Sequence, residues 1–387
     1  DVIFNADAVK FAGRIEYGST LHVISKHAES TPDSNIIRKC SILANTTLTT
    51  ANYAGIVINS TDAGPVTLGN TWCDGNKFDR NTISGGFYGV TLVGSATQLI
   101  EGNQFTNNTI KDFYTYGLYV GGTRSTLIEN NLITRPTRTG LGAGYGIYLS
   151  GALNQATLIS KNRITNFFGS EPANTSSVWG IFHNSVSAAA GNENVVSNNL
   201  IYKLDANGPS YGIYNVGSSN VFYLHNTIAM DNTASTSAGA TAAFYQTNLA
   251  SGIQFKNNII TLTRGGTGAK HGLFLATTTS TIESNYNDFF IQAAGTNNFI
   301  GRNGSIDYST LTAWTAATTD DVNSVNFDPI YSNVTTGDYK PMALAVDNKG
   351  TNVNITTDIL NVTRSSTTPD VGAYEFAPAP CPATLVG

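Results

Sequence analysis

Carboxylates are spread through the body of the chain, six of them at Asp112, Glu129, Asp205, Asp231, Glu283 and Asp288. Hydrolysis of a glycosidic bond needs two carboxyl groups facing each other across it. Elimination across a uronate needs a Lys or Arg base beside a cation that several carboxylates hold. The six are scattered without a cluster, so neither arrangement assembles from the sequence. Asp320-Asp321 are adjacent but lie outside the repeating part of the chain, and Lys270-His271-Gly272 offers one imidazole beside one amine. His183, His225 and His271 fall at unrelated positions and are expected as isolated surface residues; Lys111-Asp112 and Arg135…Arg138 are expected as solvated charge. The three cysteines, Cys40, Cys73 and Cys381, lack metal-ligand spacing, and neither a metal nor a cofactor is expected. Cys73 occupies a recurring apolar slot and reads as a buried thiol, with a Cys40–Cys73 disulfide open as the alternative in an extracellular setting.

Contact chemistry is better represented than acid–base chemistry. Short segments recur in which Gly is followed by an apolar residue and then, two after the Gly, by Thr91, Tyr119, Tyr148, Phe182, Tyr214, Tyr245 or Phe274. The residues directly after Gly (Val90, Leu118, Ile147, Ile181, Ile213, Phe244, Leu273) are all apolar and must face a core. Strand alternation then turns the next residue outward. Tyr119, Tyr148, Phe182, Tyr214, Tyr245 and Phe274 are thus the candidate ligand-binding residues, a stacked stripe suited to a sugar or partner surface. The competing expectation is that loops such as 233–241 fold over it. Just before Gly stand Tyr88, Tyr116, Tyr145, Trp179, Tyr211, Ala242 and His271, inside if the strand begins ahead of Gly and exposed if Gly is a corner.

The elements that position these residues are repeats. Leu99–Ile110, LIEGNQFTNNTI, matches Trp72–Ile83, WCDGNKFDRNTI, 27 residues earlier, and a shortened form recurs down the chain. Taking one Asn per repeat at 45, 76, 103, 131, 162, 199, 226, 258 and 285 gives a mean period of about 30 residues. Each period holds three short strand-like pieces bounded by Gly, Asn and Ser, and no window sustains a helical period. The predicted fold is therefore all-β, a parallel β-helix with three short strands per coil, right-handed by the crossover rule. The repeated Asn is expected to adopt left-handed geometry at a corner and to stack into an Asn ladder. Residues 1–50 are read as N-terminal cap and first coil, 51–292 as coils, 293–376 as a C-terminal coil and capping segment, and 377–387 as a linker.

Composition narrows the partners. Charged residues make up 12% of the chain and the net charge is −5, against 42 Asn. Nucleic acid needs clustered basic charge, and an anionic membrane a polybasic patch; neither is present, and no apolar run approaches a membrane span. The chain opens at Asp1, which is read as a processed secreted product or an excised fragment.

The tail carries Asp328-Pro329, Gly337-Asp338-Tyr339, Asp347, Asp358, Arg364 and Asp370-Val371-Gly372-Ala373-Tyr374-Glu375. It resembles the closing segment of secreted bacterial right-handed β-helix proteins of the choice-of-anchor type, whose fold is related to that of pectate lyases. It departs from that pattern at Leu344-Ala345-Val346 and Asn361. The resemblance implies a secreted or cell-surface location. Hydrolases of this fold carry N-T-D, D-D, G-H-G and R-x-K along consecutive coils, a set missing here. Cys381-Pro382-Ala383-Thr384-Leu385 is similar to the start of fibronectin-like modules that follow such solenoids, implying further domains in the same polypeptide. The expected function is a non-catalytic extracellular module for adhesion or glycan binding, with a polysaccharide or cell-surface glycan as partner. A diverged polysaccharide lyase or hydrolase is the first alternative, and a spacer in a fibre or large surface protein the second.

Overall fold

Apolar residues that return once per coil decide the architecture. The computed structural model describes residues 2–3, 9–10, 19–24, 32–61, 63–151 and 153–378. These wind into a parallel β-solenoid whose three long sheets have ten, nine and twelve strands. Each sheet contributes one column to the core. In the nine-stranded sheet Ile42, Ile83, Ile110, Ile133, Ile164, Ile201, Ile228 and Ile260 lie directly over one another and end at Phe289. The ten-stranded sheet stacks Ile37, Phe78, Phe105, Ile128, Ile159, Val196, Tyr223 and Phe255, and the twelve-stranded sheet Ile56, Val90, Leu118, Ile147, Ile181, Ile213, Phe244 and Leu273. Nearly all are fully buried, each worth about 1.5–3 kcal/mol of transfer free energy. Cys73 joins this core, and Cys40 is half-buried.

The Asn ladder exists, with a different register from the expected one. Asn81, Asn108, Asn131, Asn162, Asn199, Asn226, Asn258 and Asn287 form one continuous series at the corner between the ten- and nine-stranded sheets. Asn35, Asn76 and Asn103 form a shorter series at the entry to the ten-stranded sheet. Asn131 therefore aligns with Asn108 rather than Asn103, and the last rung is Asn287 rather than Asn285. The left-handed residue is the one before each ladder Asn: Arg80, Asn107, Asn130, Lys161, Asn198, His225, Asn257 and Tyr286 have φ of 54–59°. The ladder Asn itself has ordinary backbone geometry, and what selects it is an amide that bonds up and down the axis.

The first coil is in place by Ile36–Arg38 and Ser41–Leu43, which pair with the next coil. At the other end Asn298–Asn303 continues the twelve-stranded sheet. Helix α1 (Leu311–Thr318) then lays Trp314, 0% exposed, across the open core. A Cβ on Gly301 would stand 2.4 Å from that indole, so only glycine admits it. Residues 328–376 do not extend the cap. They run back about four coils along the outer face of the nine-stranded sheet, where Tyr339 covers Leu200, Tyr202 and Ala229. Arg364 donates to Asn198 Oδ1 at 2.7 Å and Lys161 to Asn361 Oδ1 at 2.8 Å. The tail motif fastens this strap. Asp358 accepts from the N–H of Leu360, Val362 and Glu375, while Asp370 accepts from those of Asn348 and Phe376. The 377–387 linker lies outside the described residues apart from Ala377 and Pro378, as does most of 1–31.

Candidate functional site

The twelve-stranded sheet carries the aromatic residues on its outer face, and the recurring glycine sets their spacing. Gly117 and Leu118 are both buried, while Tyr116 and Tyr119, three residues apart, lie on one face with ring centroids 5.5 Å apart. Simple alternation would put them on opposite faces, so the strand changes parity at Gly. A Cβ on Gly117 would sit 2.5 Å from Gly146 O and 2.7 Å from core Ile133, and Gly89, Gly146, Gly180 and Gly212 are equally confined. The residues before Gly are thus neither core nor corner. They form a second outer row beside the first.

Both rows are stacked. Along the first, Tyr119–Tyr148, Tyr148–Phe182, Phe182–Tyr214, Tyr214–Tyr245 and Tyr245–Phe274 have centroids 5.2, 5.1, 4.9, 4.4 and 4.4 Å apart and planes within 24° of parallel. Along the second, Tyr88–Tyr116, Tyr116–Tyr145, Tyr145–Trp179 and Trp179–Tyr211 follow at 5.1, 4.9, 4.4 and 5.7 Å. Ala242 interrupts this row, and His271 on Phe299 resumes it. Edge contacts such as Tyr116–Tyr148 and Tyr211–Tyr214 lock the rows together. All six predicted ligand-binding residues are therefore in one column, each half-buried.

This geometry limits what the ladder can offer. Ring faces are covered by the rings above and below, so a ligand meets edges and phenol hydroxyls. Tyr119 donates to Ser150 Oγ at 2.8 Å, and Asn184 donates to the Tyr148 hydroxyl at 2.7 Å. Burial, reinforced by neighbouring phenols, pushes the hydroxyls of Tyr88 and Tyr145 up to about 12 and raises those of Tyr116 and Tyr214 as well. At one end Val66 packs near Tyr88, and at the other Arg302 lies 5.2 Å over Phe274. The 233–241 loop stacks on its neighbours, Thr236 N–H donating to Asn207 Oδ1 at 2.8 Å.

The residues expected on the surface as isolated histidines and solvated arginines are buried. His183, His225 and His271 are 0–1% exposed. Burial depresses the His183 imidazole to about 3, and Tyr223 is its partner. His225 bonds Asn257, and His271 Nε2 meets Asp307 at 2.9 Å. Arg135 lies 4.5 and 5.2 Å from the rings of Phe168 and Phe167 and donates to Tyr114 O; Arg138 donates to the carbonyls of Leu48, Gly86 and Asp112. Each substitutes main-chain acceptors for water, a role that charge pattern alone does not reveal. Three of the carboxylates are occupied in the same way: Asp112 holds Thr137 and Arg138, Asp231 holds the Tyr339 hydroxyl, and Asp288 holds Phe327 N–H. Among the described residues no group of three His, Cys, Asp or Glu side chains could hold a metal, and no helix is long and apolar enough to cross a membrane.

One concave feature escaped the sequence. A groove of about 640 Å³ lies at the outer edge of the ten-stranded sheet, roofed by the end of α1 and floored by Phe222 and Gln254. Glu283, paired with Lys256 at 2.5 Å, and Asp320 flank it. Burial raises the Asp320 carboxyl to about 6, with Asp321 and Glu283 adding to the effect against the Ser284 N–H. Asp320 reaches this place through α1, from a segment that no local pattern ties to Glu283.

A family model described as a right-handed β-helix region matches residues 31–303. No curated protein matches the chain in sequence. Among solved structures, the crystal structure of the periplasmic alginate epimerase AlgG aligns at 12% identity and a TM-score of 0.34, over 71% of this chain and 55% of that one. The chain thus spans little more than half of that protein's length.

Proposed function

The chain belongs to the right-handed β-helix family, and from that premise we propose that it is a non-catalytic extracellular module of a bacterial surface or secreted protein that binds glycan along its aromatic ladder. One observation carries this reading: six consecutive coils each present one aromatic residue of the outer column, at spacings of 4.4–5.2 Å, on an outer sheet face. Such a surface is rigid, amphipathic and nearly uncharged, and contact with it orders few rotamers. A polymer would lie along the axis, its hydroxyls meeting the phenols and its C–H groups the ring edges. In the triple variant Tyr148→Ala, Tyr214→Ala, Tyr245→Ala, retention on immobilised glycans is expected to fall at least tenfold while the far-ultraviolet spectrum stays unchanged. Unchanged retention would remove the ladder from this account.

A second reading, a glycoside hydrolase, is favoured by Glu283 and Asp320 alone, since two carboxyl groups flank one groove. Release of reducing sugar that disappears in Glu283→Gln would replace the binding reading with this one.

A further inference from the structure

We propose that the groove between the ten-stranded sheet and α1 is a discrete saccharide-binding site that takes neutral or amino sugars and rejects uronates. The site stands apart from the ladder, none of whose aromatic residues lines it. Every ladder ring is stacked on a neighbour, whereas no other ring among the described residues packs on Phe222. With Val195 and Gln254 at the paired positions on either side, the half-buried ring offers the apolar surface it leaves open in the groove to the apolar side of a pyranose. Beside it the half-buried Gln254 side-chain amide makes no hydrogen bond among the described residues, leaving a donor and an acceptor for a pair of sugar hydroxyls. Asn220 and Thr278 add further polar groups to the lining. The volume of about 640 Å³ suits a ligand of a few sugar rings.

Charge sets the selectivity. Glu283 and Asp320 lie on the lining and no basic side chain does; Lys256, which does not line it, is engaged by Glu283. A uronate brought into this groove would place its carboxylate beside two others with no cation to offset them, a repulsive element that discriminates as strongly as any attraction. An uncharged sugar accepts the same carboxylates as hydrogen-bond acceptors, and a glucosamine gains from them.

The test is calorimetric titration of the full chain with hexasaccharides of glucose, N-acetylglucosamine, glucosamine and galacturonic acid. Binding of at least one of the first three is expected, with galacturonate undetected. Phe222→Ala and Gln254→Ala should each weaken that binding at least tenfold, and the triple ladder variant should keep it within about twofold. The Gln254 side chain makes no hydrogen bond among the described residues, so its variant remains decisive even if Phe222→Ala fails to fold. The proposal is overturned if none of the three binds, if galacturonate binds as tightly, or if both groove variants bind as the parent does. A loss confined to the triple ladder variant would overturn it and leave the ladder reading intact.

Discussion

Asn199 donates its main-chain N–H and its side-chain amide to Asn226 Oδ1, at 3.1 and 3.0 Å, and the same amide reaches Ile159 O. Its own oxygen accepts both donors of Asn162. One side chain thus satisfies two main-chain groups of the preceding coil, Asn162 N–H and Ile159 C=O, and bonds the Asn226 side chain of the following one, all of them buried. Asn199→Ala would strand two donors of Asn162 and the Ile159 carbonyl. A buried polar group left without a partner costs about 1–3 kcal/mol, so we expect a loss of about 3–5 kcal/mol with incomplete relaxation, measured by urea unfolding. Asn285, which spacing alone places in the series, accepts from the N–H of Tyr286 and Asn323 at an end turn. Its alanine variant should cost less than half as much. The sequence repeat misassigned this register for a physical reason. The full-length copies carry two Asn five residues apart, Asn76 and Asn81, then Asn103 and Asn108, one at each boundary of a three-residue strand. Later coils fill the first boundary with Thr126, Thr157, Val221, Ile253 or Ile282, Asn194 being the exception, and keep Asn throughout at the second.

Among the elements, the Gly-led strand does most to expose a surface. Two aromatic columns share a face because the parity changes at Gly, and that change requires the carbonyl of the next coil to approach where a Cβ would be. In Gly146→Ala the new methyl would meet Gly180 O at 2.5 Å and Ile164 Cγ2 at 2.8 Å. Overpacking of this kind costs about 1–3 kcal/mol. The expected signature is local: near-ultraviolet dichroism from Tyr145 and Tyr148 diminishes while far-ultraviolet dichroism persists. The coil that carries Ala243 in this place also lacks an aromatic at the preceding position, Ala242. The outward direction of the first column was legible from the apolar residue beside it. The second column was not, because a period of two applied through the glycine leaves its direction open. The groove was less legible still, since Phe222 and Gln254 look like ordinary outer-face residues until α1 folds over them.

For the molecule as a whole, end and side are closed by different devices. Trp314 covers the last coil, whereas the strap binds about four coils from outside through Arg364, whose guanidinium touches Asn198, Gly372 O, Asp370 O and Glu375. Burial lowers its pKa and the carboxylates oppose that. Arg364→Met would leave the Glu375 carboxylate without its guanidinium, and breaking such a buried pair costs about 3–5 kcal/mol. We expect a lower melting temperature and protease cleavage appearing first within 328–376, ahead of any cut in the coils. The tail motif was thus legible as a family signature, though its physical task, lateral clasping, depends on contacts between residues as far apart as Lys161 and Asn361.

The isoleucine column of the nine-stranded sheet has a consequence for how the chain finds its fold. A slip of one whole coil would leave isoleucine over isoleucine and asparagine over asparagine, so these columns barely distinguish the native alignment from its shifted copies. What breaks the degeneracy is everything that does not repeat: ladder steps between 23 and 37 residues, the Phe78–Phe105 stack inside the core, the Trp314 plug and the strap. Growth can begin at any coil, and the irregular turns, which look like noise in the repeat, carry the information that removes kinetic traps.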